Sequence, residues 1–337
     1  MDKLREELRN FPKRNAGDLA RLKTVIAARA AEKPPLSEDE KERLKQEFSV
    51  IEEMGVESVF LFFYDTMYAM NGYGLLFHGS MHCSYLCYFL GLMKVDPLEY
   101  GLPFERYYGR NRTHLPFCSI VVKKGETGRV IRYLQNVYGA DRIARVKDWE
   151  NEYILSEKPV SSFGEIERTV FHATEREQTV WHEEISSLDL STAARFGLYT
   201  FALEEAEIGE YRIFSEKEIY GKARALLSAR PSCLKTETYQ GLKIMERIFN
   251  ETEGRFVYQE QFFEICTKCL SLTAQEADAF RKSLAKRNRK ETKNLKLLFE
   301  EKYGEEGLAA FEYVWKRMVY VVCKAYVIGL LFLDIAE

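Results

Sequence analysis

The chain lacks an excess of either charge. Its 49 Lys and Arg face 52 Asp and Glu, for a formal net charge of -3 over 337 residues. The wholesale basic surface that is the simplest nucleic-acid footprint is therefore missing, and any such footprint must be local. A disulfide framework is missing too. Seven cysteines, an odd number, are scattered at Cys83, Cys87, Cys118, Cys233, Cys266, Cys269 and Cys323, which suits a reducing, cytoplasmic compartment. The opening MDKLREELRNFPKRN has no apolar stretch of the kind a secretory signal needs. Nor is there an unbroken membrane-length run. Met318 to Ala336 comes nearest, but Lys324 and Asp334 within it are costly in a bilayer. A buried core helix fits that run better, and no membrane is expected as a partner. Internal repeats and low-complexity tracts are absent.

What is present is a globular composition, 46% hydrophobic and 30% charged. Lys33-Pro34-Pro35 marks a linker after a charged helical stretch, 1–31. Ser37 followed by Glu40 is a capping-box pair, and Leu44, Phe48, Ile51 and Met54 repeat at helical spacing. These predict an amphipathic helix over 38–54 that stops at Gly55. Val59 to Met70 is almost wholly apolar, hence buried, but its periodicity leaves helix and strand open. Val130, Ile131, Leu134, Val137 and Tyr138 predict a second helix ending at Gly139. RIARV, EYILSE, RTVFHA and EYRIF, between 140 and 215, are strand-like. From 216 onward helices are expected over 216–228, 237–250, 256–270, 274–286, 291–303 and 306–335. The pattern is α+β first and all-α last.

Several separate segments, in one order, resemble a single family: the C-family replicative polymerases typified by the bacterial DNA polymerase III alpha subunit. ERLKQEFSVIEEMGVESVFLFF (42–63) is similar to the helix and apolar run that open that family's palm. FHGS (77–80) stands where the family has a Gly-Arg-Gly-Ser phosphate loop. KVDPLEYGLPFERYYGRNRTHLP (94–116) closely resembles the run that precedes the first catalytic strand. Segments 128–146, 153–163 and 187–196 resemble later palm elements, and 230–234, 256–291 and 321–326 resemble the fingers. The resemblance implies a helix-rich α+β fold. A polymerase-beta-like nucleotidyltransferase palm (38–214) would follow an N-terminal helical extension and linker (1–37). A truncated, all-α fingers region (215–337) would come last. The family's thumb, inserted after the strand ending at Val146, would be reduced to Lys147–Glu152.

Nucleotidyl transfer by polymerases relies on two metal ions clamping the attacking and leaving oxygens, and magnesium asks for carboxylates. In the family two catalytic aspartates follow a proline on one strand. Here that strand reads Pro116-Phe117-Cys118-Ser119-Ile120-Val121-Val122, and Phe117, Ser119 and Val121 take the acidic positions. The expected result is a metal site overgrown by apolar side chains, Phe117, Ile120 and Val121. Asp189 is the best match to the family's third aspartate, either as a relic ligand or as a helix-start residue ahead of Ser191 and Thr192. Glu183 and Glu184 lie near it in sequence but match nothing catalytic. Gly79 and Ser80 persist from the phosphate loop, with Leu76 and Phe77 crowding it. Arg281, Lys282, Lys286 and Arg287 match basic positions near the incoming nucleotide, as do Arg230 and Lys324. With Arg289, Lys290 and Lys293 they concentrate positive charge over 281–293.

Other patterns carry less. Cys83/Cys87 and Cys266/Cys269 have metal-like spacings but lie in apolar segments, as ordinary core cysteines do. His78 and His82, beside Cys83, lack an orienting partner for nucleophilic work. The reading that emerges is a catalytically degenerate polymerase relative kept as a scaffold or binding subunit. Its expected partner is another protein or a second copy, with nucleic acid as a further candidate through 281–293. No cofactor is expected. Two alternatives stand beside it: a working nucleotidyltransferase, which would need Mg2+ and carboxylates from elsewhere, and a nucleic-acid-binding module.

Overall fold

The structure, a computed structural model, describes all residues except 1, 13–14, 71–74, 148–150, 165–166, 175–179, 209–211, 229–237 and 335–337. The chain divides into two compact units. The first takes in residues 1–96, 112–210 and 332–337, and the second takes in 97–111 and 211–331. By that division the stretch 1–37 falls within the first unit. The segment 97–111 goes with the helical unit. The coarse expectation of a helix-rich α+β chain holds.

A seven-stranded mixed sheet organises the first unit. Its strands are β1 (Leu76–His78), β2 (Ser119–Val122), β3 (Ile143–Val146), β4 (Glu152–Leu155), β5 (Glu167–Thr174), β6 (Val180–Leu188) and β7 (Tyr199–Glu205). Their spatial order is β1-β2-β7-β4-β3-β6-β5. The pairs β2/β7 and β3/β6 are parallel, and the remaining neighbours are antiparallel. A separate short ribbon pairs β8 (Glu207–Ile208) with β9 (Leu333–Asp334). Three of the four strand-like segments are strands. Arg212 to Phe214, the described part of the fourth, are not. There Arg212 lies over the Phe214 ring and pairs with Glu218, a local arrangement that needs no sheet partner.

One face of this sheet is covered by helices. The apolar run whose periodicity was ambiguous is helix α4 (Glu57–Ala69), with Ser58 to Phe63 buried. Its length exceeds that of most buried strands, which favours the helix. Phe62 of α4 packs edge-on against Phe201 at 5.9 Å and Tyr199 at 6.0 Å. Helix α6 (Thr127–Tyr138) joins the same layer through Tyr138, 6.0 Å from Phe62, and through Thr127, whose hydroxyl donates to Glu205 at 2.6 Å. The N-terminal helix α1 (Asp2–Asn10) is tied in as well. Its Glu7 accepts from the Leu115 amide at 2.6 Å, just ahead of β2, and Asn10 donates to the Phe196 carbonyl at 2.6 Å.

Helix α3 (Glu38–Met54) forms as the sequence predicts. Ser37 and Glu40 make the capping box, and Gly55 takes φ 65°, a left-handed conformation that glycine adopts at little cost. At its centre Glu47 is fully buried. Its carboxylate accepts from Arg43 Nε at 2.6 Å, Ser84 Oγ at 2.7 Å, Tyr85 N at 2.7 Å and Leu86 N at 3.0 Å. A buried charge is tolerable only when paired and hydrogen-bonded in this way. The contacts pin the start of the short helix α5 (Tyr85–Phe89), which follows the His78–Cys83 segment.

The second unit is helical. Its described helices include α8 (Glu216–Ser228), then Lys243–Ile248, Gln259–Glu264, Ala274–Ala285, Arg289–Arg317 and Lys324–Leu331. Several are shorter than the sequence suggests. The expected 256–270 helix passes at Ile265–Cys269 into a wide turn. The expected 306–335 helix breaks after Arg317. There Val322 bridges to Tyr258, and the Val322 amide donates to Val257 at 2.9 Å. The chain then restarts as Lys324–Leu331, whose first amides, Lys324 and Ala325, donate to buried Glu260 at 2.7 and 3.3 Å. A carboxylate at a helix start satisfies orphan amides and suits the helix dipole. The long segment Arg289–Arg317 is itself interrupted at Gly304, with φ 59° and ψ -134°. Beyond it Gly307 passes so close to Phe299 that an added Cβ would lie 2.0 Å from the Phe299 carbonyl oxygen. Among the described residues no helix is long and apolar enough to cross a membrane.

The Glu47 cluster gives a direct test. Glu47→Ala would leave the Arg43 guanidinium and three further donors without their acceptor, at a cost of about 3–5 kcal/mol. Equilibrium denaturant unfolding should show that loss, with a reduced midpoint and little change in slope.

Candidate active-site region

Strand β2 carries the positions of interest, and the register fixes what surrounds them. Ser119 stands opposite His78 of β1 and Ala202 of β7, and Val121 stands opposite Leu76 and Glu204. Ala202 in turn faces Glu152 of β4. Because side chains alternate along a strand, these residues share one face of the sheet, opposite the α4 and α6 layer. Ile120 points the other way, with Phe77 and Leu203. Val121 is fully buried in a small cluster with Leu76, Ala206 and Leu333. Phe117 is 46% exposed. The expectation that Phe117, Ile120 and Val121 together fill the region is thus corrected: Ile120 belongs to the opposite face, and Phe117 stays at the surface. Phe77 is likewise a core residue, its ring 5.5 Å from Phe63.

Two acids absent from the sequence reading, Glu152 and Glu204, lie on this face. Each carboxyl is pushed above its usual range by burial, and the Ser119 hydroxyl draws that of Glu204 partly back. At Glu152 burial is the sole cause. The alternation in FALEE (201–205) was the available signal, since it places Glu204 on the same face as Ala202. Among the described residues no three of His, Cys, Asp and Glu come together to hold a metal ion.

Asp189 has a different task. It caps helix α7 (Leu190–Arg195) and accepts from the Thr192 amide at 2.8 Å and the Thr192 hydroxyl at 2.6 Å, with the Ser191 hydroxyl donating as well. Of the two roles open in the sequence, the geometry is that of the helix-start residue. The hydroxyls of Ser191 and Thr192, with the Thr192 amide, hold its carboxyl well below the usual carboxylate range. The side chains of Glu183 and Glu184 lie outside the described residues.

Gly79 opens a short 3-10 turn, Gly79–Cys83, at φ 87°, where a side chain would be strained. Ser80 follows it, half-buried. His78 and His82 flank this turn with rings 5.6 Å apart and edge to face. Both are buried. Burial lowers His78 to about 4 and His82 well below its ordinary value, so both imidazoles are neutral near pH 7. Cys83 and Cys87 are buried free thiols, as are Cys266 and Cys269. Burial raises the Cys266 thiol and pushes that of Cys269 to about 11. These are core thiols in character.

The basic positions fall into two groups in the second unit. Arg281 and Lys282 are held by buried Asp278, at 2.8 and 2.7 Å. Lys324 is buried, with its ammonium 2.7 Å from Glu216 and 3.6 Å from Glu251. In contrast Lys286, Arg289, Lys290 and Lys293 are exposed and make no ion pair among the described residues. Arg287, at φ 55°, lies over the Trp315 ring at 4.1 Å and donates to the Trp315 carbonyl at 3.2 Å. Arg230 lies outside the described residues.

A mixed sheet in one unit and helices in the other are compatible with the family resemblance read in the sequence, and comparison with known proteins agrees. Residues 18–153 match the model of the bacterial DNA polymerase III alpha NTPase domain, and residues 230–307 match that of the bacterial DNA polymerase III alpha subunit finger domain. The chain belongs to the bacterial DNA polymerase III alpha family, as an alpha-like C-family member. It is 35% identical over 107 residues to the DNA polymerase III subunit alpha of Thermus aquaticus, covering 31% of this chain and 9% of that protein. It is 29% identical over 147 residues to the error-prone DNA polymerase of Cutibacterium acnes, covering 43% of this chain and 12% of that protein. The DNA polymerase III subunit alpha of Staphylococcus aureus is 36% identical over 104 residues, 29% of this chain and 10% of that protein. The chain thus spans about a tenth of the length of these relatives.

The cap assignment has a consequence in solution. Asp189→Ala should lower the melting temperature, while Asp189→Ser, which keeps a capping oxygen, should restore most of it. The native-state carboxyl is depressed, so its contribution is present above the unfolded value of 3.8. It is lost as pH falls toward the native value. The gap between wild type and Asp189→Ala in thermal melts should therefore be full at pH 7 and shrink on acidification below pH 3.8.

Proposed function

We propose that this chain does not polymerise DNA by itself and serves as a scaffold or binding subunit in a DNA transaction. On this reading it keeps a polymerase-beta-like palm and a truncated fingers region, with Lys147–Glu152 in place of the thumb. One observation carries it. The strand positions that the family gives to metal-binding aspartates hold Phe117, Ser119 and Val121, and the remaining candidate, Asp189, spends its carboxylate on a helix cap. Phosphoryl-transfer catalysis is almost entirely positioning and charge stabilisation. Glu152 and Glu204, both raised by burial, prefer the protonated form more than ordinary carboxylates do.

The test is primer extension by the purified chain on a primed template, with four deoxynucleotides and either Mg2+ or Mn2+. No incorporation is expected, and Asp189→Asn should change nothing in that assay. Incorporation that is lost in Asp189→Asn, or in Glu152→Gln with Glu204→Gln, would instead establish the working nucleotidyltransferase.

A second reading, the nucleic-acid-binding module, draws on the exposed cations Lys286, Arg289, Lys290 and Lys293. Neutralising phosphates releases condensed counterions, so such binding must weaken with salt. Reversing all four to Glu should reduce the steepness of log K against log salt by up to roughly 3 for single-stranded DNA. Fluorescence anisotropy between 50 and about 200 mM salt would measure it. A weak, salt-insensitive interaction unchanged in the variant would dismiss this module.

A further inference from the structure

A cleft of about 610 Å³ opens in the first unit, bordering β1 at Leu76 and the residue after β2, Lys123. One wall is the end of α4, and another is the last turns of helix α2 (Asp18–Ala31). The floor is apolar: Met70, Leu76 and Leu90 are each buried to within a few per cent, and Met67 and Ile208 border them. Thioether and aliphatic side chains of this kind adapt to varied apolar shapes. Tyr68 stands at the mouth, 73% exposed, and its ring stacks on Tyr64 at 6.1 Å. It is the most exposed large hydrophobic side chain among the described residues.

The charge around the mouth is one-sided. Lys94 and Lys123 line the cleft, are exposed and make no ion pair among the described residues. Arg29 lines it too, and among the described lining residues the one acid, Glu32, is 2.9 Å from the Arg29 guanidinium. Arg29 Nε is also committed to the Phe89 carbonyl at 3.2 Å. Among the described residues, then, Lys94 and Lys123 face an occupant while the one lining carboxylate, Glu32, is taken by Arg29. The floor offers a phosphate backbone nothing, since it presents aliphatic and thioether groups where a nucleic-acid groove presents donors. It suits a bulky apolar side chain, and the rim suits acids beside it.

We infer that this cleft is a docking site for a short acidic segment of a partner protein, with a Phe, Leu or similar side chain on the floor between Met70 and Leu90 and flanking Asp or Glu against Lys94 and Lys123. The volume lies within the range of pockets that bury such anchors. Rim charges of this kind steer encounter and choose among partners more than they add affinity. This deepens the scaffold reading and rests on it by naming the chemistry of what is bound.

The experiment is selection from a displayed library of random twelve-residue peptides on the full chain, run in parallel on the Lys94→Glu/Lys123→Glu variant. Both lysines are exposed, so the variant should melt at the wild-type temperature. Enriched peptides should pair Asp or Glu with Phe or Leu, appear on the wild type alone, and lose at least tenfold in affinity for the variant and for Tyr68→Ser. Absence of wild-type-specific enrichment overturns the proposal, as does enrichment of basic or purely apolar peptides. A fluorescent single-stranded oligonucleotide whose binding collapses in Lys94→Glu/Lys123→Glu, with no peptide selected, gives the cleft to nucleic acid and overturns it equally. Failure here leaves the primer-extension result untouched, so the two readings fall separately.

Discussion

The first unit depends on a buried carboxylate. Glu47 sits at the centre of α3 with no solvent, and four donors converge on it. Remove them and the charge would be intolerable, and remove the charge and the start of α5 would lose its anchor. Through that anchor the His78–Cys83 turn acquires a fixed place next to β1. The register of β1 on β2 then sets which side chains share a face with Ser119. A buried polar cluster on α3 thereby bears on the segment that joins β1 to α5.

The region around β2 is packed in a way that fits the proposed loss of metal chemistry. Val121 is buried there with Leu76, Ala206 and Leu333, and on the proposed reading this apolar cluster stands where clustered carboxylates would repel one another without metal. Neutral imidazoles at His78 and His82 occupy the turn beside it. A turn that must receive phosphate gains from donors and openness. This one is closed by rings. The helical unit tells a similar story with ion pairs: Asp278 takes up Arg281 and Lys282, and Glu216 takes up Lys324. Cations that could face solvent anions are instead turned to internal cohesion, and the surface charge survives at Lys286 to Lys293.

Much of this was legible in the residues. The Ser37/Glu40 box and Gly55 fixed both ends of α3, because capping is local chemistry that sequence states directly. That Phe117, Ser119 and Val121 stand where the resembled family has acids is stated by three letters of the sequence. The role of Asp189 could only be narrowed to two, since Ser191 and Thr192 two and three residues on are compatible with either. Phe117 was expected inside and lies half outside, because a β-strand's start is not bound by the burial of its middle. Glu152 and Glu204 were missed for a physical reason. That both share the face of Ser119 depends on β7 lying between β2 and β4, a long-range pairing that the alternation in FALEE could not reveal by itself. The breaks in the last helices were hidden in the same way, as the Tyr258–Val322 bridge and the reach of Glu260 to Lys324 join positions some sixty residues apart.

That same placement of β7 bears on how the chain reaches its native state. Strands β2 and β4 never touch each other, and each is bonded to β7. Until Tyr199–Glu205 has been synthesised, the sheet exists only as two unjoined halves with apolar edges bare. The β8/β9 ribbon postpones completion further, since Leu333 and Asp334 come after the whole helical unit. Ribosomal synthesis therefore finishes the first unit last. Such non-local closure is slow and leaves a window for sticking to neighbours. Chaperone demand during production, and yield lost at elevated temperature, are the practical signatures of a central strand that arrives late.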